Sequence, residues 1–222
     1  MNLSLCVATW FQPTWARCVA SWQHPALIVP RMGIIEAYQL GYDSLYNSSV
    51  IGYVHDDLIC HEDGWQERVL EEFTDPYVAI VGFFGATGHG QPHMYQQPFH
   101  IPNMVRIDAR SNLINAEQHG RRLTGSMNAA VLDGMALFVR NTFLTEIQGW
   151  IHPSPISYFM YTEWLCCMAR RMGRKIRVVG VSVEHLGGRS SGVNPNLNLD
   201  YEAEHRYVYE EFRDVLPSKV NP

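Results

Sequence analysis

The chain has 222 residues, enough for one large domain or two small ones with a sizeable core. Hydrophobic residues make up 46% of the sequence and charged residues 18%, which excludes an intrinsically disordered chain. The net charge of -5 offers no basic surface to a nucleic-acid backbone, so nucleic acid is not an expected partner.

The cysteines and the N-terminal residues bear on the cellular compartment. Five cysteines without a CxxC pair argue against a disulfide framework and favour a reducing, cytoplasmic location. The N-terminal residues lack the basic leader of a signal peptide. No apolar stretch is long enough for a transmembrane segment, so we expect peripheral contact with any lipid-linked acceptor.

Short apolar runs bounded by turn residues predict the strands. In chain order they cover residues 3–9, 26–29, 50–54, 77–83, 135–139 and 176–183. The runs are continuous rather than alternating, as expected for strands that are covered on both faces.

Helical patterns lie between the predicted strands. The first has Trp65, Val69 and Phe73 on one face, with Asp63 as its N-cap. A second ends at Gly173, and a third covers about 200–216. Strands that alternate with helices predict a single α/β domain over 1–222, with a mostly parallel central sheet flanked by helices.

The stretch from about 85 to 128 differs from the rest. It is rich in Gly, Pro, Gln, His and Asn and has no sustained period. A long irregular insertion in a compact domain is usually functional or mobile. We therefore expect an irregular lid or acceptor-binding region there.

One predicted strand ends abruptly in His55, Asp56 and Asp57. Ligands of open α/β sheets collect beyond the carboxyl ends of the strands. Adjacent carboxylates repel, and a divalent cation commonly holds them together. Oxygen ligands suit Mg²⁺ or Mn²⁺, and the imidazole favours Mn²⁺. The motif alone equally allows a turn in which an Asp caps the next helix.

Further segments follow in a fixed order. They are Trp65 in the next helix, 77–85, 131–140, Gly149-Trp150, Tyr161-Thr162-Glu163, and 183–190 with His185. Over residues 3–191 this order resembles family 2-type glycosyltransferases of the GT-A fold, in which His55-Asp56-Asp57 stands at the family's Asp-x-Asp.

The resemblance implies a hexosyltransferase-like enzyme. Such an enzyme transfers a sugar from a nucleotide-diphosphate sugar to a saccharide or other hydroxyl acceptor, with Mn²⁺ or Mg²⁺ and by single displacement with inversion. The implied site residues are the base Glu163; the metal ligands Asp57, His185 and His55; the donor-binding residues Thr9, Trp10, Phe11, Arg31, Asp56, Asp133, Gly134 and Arg189; and the acceptor-binding residues Gly149 and Trp150.

Two positions depart from the family pattern. His55 replaces the first acidic residue of Asp-x-Asp, which makes Asp57 the main metal ligand and leaves Asp56 for ribose or sugar. Glu163 stands beside Thr162 instead of within a Glu-Asp pair. Structural roles remain open: Glu163 suits a helix N-terminus, and Asp133 suits a turn.

Two other functions stay open. A nucleotidyltransferase or a phosphoesterase would also use Asp56 and Asp57 for a metal, but a nucleotidyltransferase should carry a Gly-rich phosphate loop where this chain has residues 10–15, with Trp at both ends. A catalytically inactive nucleotide- or carbohydrate-binding module of the same fold is the second. Because the chain adds little to a catalytic core, a partner or a homodimer would complete the acceptor site.

Overall fold

The computed structural model describes residues 1–9, 15–89, 100–102, 104–108, 113–117, 123–150, 156–186, 201–216 and 218–221. The strands there are β1 (Leu3–Thr9), β2 (Ala26–Pro30), β3 (Val50–His55), β4 (Leu58–Cys60), β5 (Val78–Gly82), β6 (Phe84–Ala86), β7 (Gly88–His89), β8 (His100–Pro102), β9 (Met104–Asp108), β10 (Leu113–Glu117), β11 (Ser126–Ala129), β12 (Val131–Leu132), β13 (Ala136–Arg140), β14 (Lys175–Val179), β15 (Val183–His185) and β16 (Ser218–Lys219). The helices are α1 (Trp15–Ser21), α2 (Ile34–Ser44), α3 (Trp65–Glu72), α4 (Asn141–Glu146), α5 (Tyr161–Arg171) and α6 (Tyr201–Glu211).

A seven-stranded sheet with the order β11-β14-β5-β13-β3-β1-β2 forms the centre of the fold. β1 is parallel to both β2 and β3, and β14 is parallel to β5. β13 runs antiparallel between β3 and β5, and β11 is antiparallel to β14 at the edge. Five of the seven strands therefore share one direction, which confirms the predicted α/β class with a mostly parallel sheet.

Each of the six predicted strands contributes to this sheet. Every residue of β5 is buried, and so are the first five residues of β3, as continuous apolar runs require. The predicted strand 176–183 is too long, because it ends at Val179. The backbone then leaves the sheet at Gly180, whose N–H donates to the Gly125 carbonyl at 2.7 Å. The later part of the run, from Val183, belongs to β15 in another sheet.

The helices lie between the strands as expected, with one corrected cap. Gly64, with φ of +74°, precedes α3 directly, so Asp63 is not its N-cap. Asp63 instead accepts a hydrogen bond from the Gln23 amide. No helix in the described ranges is long and apolar enough to cross a membrane.

The segment 85–128 contains strands where we expected irregular chain. In its described part, β6 pairs with β12 on one side and with β8 on the other, β9 and β10 join β15 and β4, and β11 is an edge strand of the central sheet. These strands are only two to five residues long, too short to produce a periodic sequence pattern. The prediction of a wholly irregular insertion is therefore wrong for these residues.

A group of aromatic side chains fills the core beneath one end of the sheet. The Trp150 indole lies 4.9 Å from the Tyr53 ring, 5.1 Å from Tyr38 and 6.1 Å from Tyr161. Trp150 is fully buried. The indole therefore has a packing role in the core, and the acceptor contact stays a prediction from the sequence.

We expect Trp150→Ala to destabilise the fold by about 3–5 kcal/mol, the usual cost of truncating a buried Trp. Urea unfolding measures this cost. The control Tyr46→Ala changes a side chain that is 66% exposed and should stay within about 0.5 kcal/mol of wild type. Unchanged stability in Trp150→Ala, together with weaker acceptor binding, would support the acceptor role instead.

Candidate functional site

The carboxyl ends of three neighbouring parallel strands form one edge of the central sheet. In the register, Thr9 of β1 lies beside Pro30 of β2, and Ala8 lies beside His55 of β3. Arg31 follows β2, and its N–H donates to the Thr9 carbonyl at 2.8 Å. The edge therefore brings together residues that are far apart in sequence, as expected for a ligand site of an open α/β sheet.

Thr9 and Asp56 meet at this edge. The Thr9 hydroxyl donates to Asp56 Oδ2 at 2.7 Å, and both side chains are buried. The hydrogen bond fixes the orientation of the Asp56 carboxylate at the start of the turn between β3 and β4.

The antiparallel strand β13 adds residues to the same edge. Because β13 runs opposite to β3, the residues that precede it lie beside the end of β3, and the His55 N–H donates to the Met135 carbonyl at 2.9 Å. Asp133 Oδ1 accepts a hydrogen bond from the Met135 N–H at 2.9 Å. Asp133 therefore has the turn role that the sequence left open, and it also faces the pocket described below.

His185 reaches the site through the four-stranded sheet. β15 pairs antiparallel with β4, which places His185 opposite Leu58, and the Leu186 N–H donates to the Asp57 carbonyl at 3.0 Å. Beside this ladder, His61 Nε2 lies 2.6 Å from the Glu184 carboxylate. Strand pairing thus fixes His185 next to Asp57.

His55, Asp57 and His185 form a candidate metal centre. Their ligand atoms lie within 4.8 Å of one another. Asp57 Oδ1 is 3.2 Å from His185 Nε2 and 3.9 Å from His55 Nδ1. This oxygen is buried, and no described residue gives it a hydrogen bond of good geometry. A buried carboxylate oxygen beside two imidazole nitrogens fits a divalent cation, whose coordination would satisfy it.

The protonation states suit a cation. Burial lowers the pKa of His55 against the opposing effect of Asp57, so the ring is neutral near pH 7. Burial would raise the pKa of Asp57, but the imidazoles of His185 and His55 outweigh it and lower this pKa to about 2. Neutral imidazole and ionised carboxylate are the forms that bind metals.

Tyr161 connects this centre to helix α5. Its hydroxyl lies 3.1 Å from His55 Nε2, which leaves Nδ1 on the side of Asp57. Metal-binding histidines commonly have the second ring nitrogen held by such a partner. Gly134 leaves the space that the Tyr161 hydroxyl occupies, because a Cβ on residue 134 would lie 2.0 Å from this hydroxyl.

A cavity of about 220 Å³ adjoins the metal centre. Its polar lining includes His55, Asp133 and Glu163, and its aromatic lining includes Tyr158, Phe159, Tyr161 and Tyr201. Burial raises the pKa of Glu163 to about 8, and the carboxylates of Asp133 and Glu204 act in the same direction. A carboxyl group that titrates near neutral pH can exchange protons with a ligand in the cavity.

The structure brings most of the predicted site residues together. Thr9, Arg31 and Asp56 lie at the sheet edge, His55, Asp57 and His185 form the cluster, and Asp133, Gly134 and Glu163 line the cavity. Trp10, Phe11 and Arg189 lie outside the described residues. Gly149 and Trp150 do not line the cavity: Gly149 is a buried turn residue with φ of +81°.

Sequence reasoning gave no role to Tyr161, Tyr201 or Glu204. Tyr161 stood inside a matching segment, but its hydroxyl contact with His55 spans 106 residues. Glu204 occupies the apolar face of α6, three residues after Tyr201 and four before the buried Val208. An acidic residue in an apolar stripe is a signal that could have been recognised.

Comparison with known proteins gives fold information only. No protein-family model matches the sequence, and no curated protein matches it by sequence. The structure of GalNAc-T7 with UDP, GalNAc and Mn²⁺ matches with a TM-score of 0.65 and 12% identity, over 96% of this chain and 50% of that chain.

Two further structures are similar. The mannosyltransferase PcManGT from Pyrobaculum calidifontis, in complex with GDP-Man and Mn²⁺, has a TM-score of 0.56 and 9% identity over 85% of this chain and 58% of that chain. A197 from STIV has a TM-score of 0.53 and 9% identity over 85% and 87%. The chain thus spans only 50% and 58% of the two glycosyltransferase chains. These matches show a GT-A-like α/β fold.

We expect Asp57→Asn to weaken Mn²⁺ binding at least about 100-fold, since even loss of an outer partner of a metal ligand costs about 10–100-fold. Titration calorimetry and Mn²⁺ electron paramagnetic resonance measure the affinity. The control Asp63→Asn removes an exposed carboxylate outside the cluster and should bind as wild type does. Equal affinity in both variants would place the cation elsewhere.

Proposed function

We propose that the protein transfers a sugar from a nucleotide-diphosphate sugar to an acceptor hydroxyl in a metal-dependent reaction. The observation that supports this most directly is the position of His55. It belongs both to the candidate metal centre and to the cavity that contains Glu163. A diphosphate bound at the metal centre and a sugar bound in the cavity would therefore lie next to each other.

Asp57, His55 and His185 would hold the cation. A bound cation stabilises the negative charge that develops on the diphosphate leaving group. Two imidazoles and one carboxylate favour Mn²⁺ over Mg²⁺, because Mg²⁺ prefers an all-oxygen octahedral set. The two glycosyltransferase structures with a similar fold contain Mn²⁺, in agreement with this preference.

The cavity suits the transferred sugar. Its volume of about 220 Å³ is below the range of about 300–1,000 Å³ that drug-sized ligands need, so it suits one ring rather than an oligosaccharide. Asp133 can accept hydrogen bonds from sugar hydroxyls, and the aromatic side chains can pack on the ring faces. Asp133 would repel an anionic sugar, and Glu163 would add to this repulsion as it ionises with rising pH through about 8.

Glu163 is our candidate for the base. As a carboxylate it can remove the proton of the attacking hydroxyl, which corresponds to single displacement with inversion. Thr9, Asp56 and Arg31 lie at the sheet edge, where the ribose and base of a donor would bind. Trp10, Phe11 and Arg189 remain sequence predictions for the same donor.

A panel of sugar nucleotides tests the proposed function. We expect turnover of UDP- or GDP-linked neutral sugars with Mn²⁺, measured as release of UDP or GDP with and without saccharide acceptors. Within the matched pairs UDP-glucose/UDP-glucuronate and GDP-mannose/GDP-mannuronate, the neutral sugar should bind about 10-fold tighter, a difference of about 1.4 kcal/mol.

The same panel separates the alternatives. Binding of a nucleoside diphosphate without turnover of any donor would favour the inactive binding module. Tighter binding of the anionic sugars would contradict the acidic cavity as the sugar site.

The pH dependence tests Glu163. Its folded-state pKa is raised to about 8, and the base must be ionised, so kcat/KM should rise with pH through about 8 and then level off. Glu163→Gln should lower kcat by about 100-fold or more and abolish this rise. The control Glu67→Gln, an exposed residue of α3, should retain the wild-type profile. A profile unchanged in Glu163→Gln would rule out this base.

A further inference from the structure

Glu204 on helix α6 makes an unusual set of hydrogen bonds. It is 1% exposed. Its Oε1 accepts from the Ser157 N–H at 3.0 Å, the Ser157 hydroxyl at 2.7 Å and the Tyr158 N–H at 3.1 Å. Its Oε2 accepts from the Phe159 N–H at 2.8 Å and the Met160 N–H at 3.0 Å. One carboxylate thus binds four consecutive residues of another segment.

The buried Glu204 carboxylate has no basic partner among the described residues. Its negative charge is stabilised instead by the N–H and O–H donors and by the positive end of the α5 dipole. The N-cap of α5, Met160, provides no side-chain cap of its own. Glu204 therefore fixes the turn that leads into α5, from a helix 40 residues later in the chain.

The fixed segment is a wall of the cavity. Tyr158, Phe159 and Met160 line it, and Glu163 follows in the first turn of α5. Tyr201, three residues before Glu204, lines the cavity from α6 and packs edge-on against Phe159 with ring centroids 5.4 Å apart. Helix α6 lies beyond residue 191, where the resemblance of the sequence ends, so the resemblance assigns no role to Glu204.

We propose that Glu204 is a positioning residue that holds the 157–160 wall, and with it the start of α5, in the geometry that binds the donor sugar. This role rests on the proposed function. It predicts that Glu204 affects binding of the sugar but not of the diphosphate, which would bind at the candidate metal centre of His55, Asp57 and His185. A residue that only stabilised the fold would affect both alike.

The test compares Glu204→Gln with Glu210→Gln, an exposed residue of the same helix. Gln keeps the size of Glu but turns an N–H₂ group towards backbone N–H donors. We expect KM for the sugar nucleotide to rise about 10-fold, the equivalent of one charge-assisted hydrogen bond. The Kd of UDP or GDP with Mn²⁺ should stay within about 2-fold, well inside that change. Glu210→Gln should match wild type in both.

Two more measurements test whether Glu204 holds residues 157–160 in place. Amide hydrogen exchange should quicken at 157–160 in Glu204→Gln but not in β3 or β13, whatever the activity. Ser157→Ala removes one donor at an exposed residue and should raise KM by a smaller factor, even where Glu204→Gln folds poorly.

Three results would contradict the positioning role of Glu204 or the proposed function. A KM that stays at the wild-type value in both Glu204→Gln and Ser157→Ala, while wild type binds the diphosphate and turns over, would overturn the positioning role alone. Equal losses of diphosphate and sugar-nucleotide binding would reduce Glu204 to a stabilising residue. A wild-type protein that binds neither diphosphate would overturn the proposed function and this role with it.

Discussion

The contact between the Tyr161 hydroxyl and the His55 imidazole sets the geometry of the candidate site. It joins the end of β3 to the first residue of α5, at 3.1 Å. Through it, the distance between the metal centre and Glu163 depends on how α5 packs against the sheet. The contact requires Gly at position 134, because any Cβ there would overlap the tyrosine hydroxyl. The packing of α5 and the geometry of the candidate site therefore depend on the same contact between Tyr161 and His55.

Strand direction explains why these side chains converge. The carboxyl ends of β1, β2 and β3 lie at one edge because the strands are parallel. β13 adds Asp133 and Gly134 to that edge because it runs the opposite way, and its preceding loop lies beside the end of β3. His185 comes from a different sheet, by antiparallel pairing with β4. The antiparallel strand β13 thus adds residues to the candidate site that the parallel strands alone do not provide.

The buried carboxylate of Glu204 shows how a helix beyond residue 191, outside the segments that carry the family resemblance, can contact the wall of the cavity. Buried charges are costly unless they are paired or hydrogen-bonded. The hydrogen bonds from residues 157–160 to the Glu204 carboxylate are therefore strong. The same charge raises the pKa of Glu163, together with burial and Asp133. The C-terminal helix therefore influences both the shape of the cavity and the proton affinity of the proposed base.

The sequence by itself determined the α/β class and the six longest strands of the sheet, and it indicated His55 and Asp57 as candidate metal ligands, because continuous apolar runs and strand-end polar residues are local patterns. It could not reveal the short strands of 85–128, since two to five residues show no period. Nor could it distinguish a core Trp150 from a sugar-contacting one, because both roles use the same apolar ring. Only the tertiary structure decided that Trp150 is core and that Glu204 reaches the 157–160 wall. Such contacts depend on packing between elements more than 40 residues apart, and no local pattern encodes them.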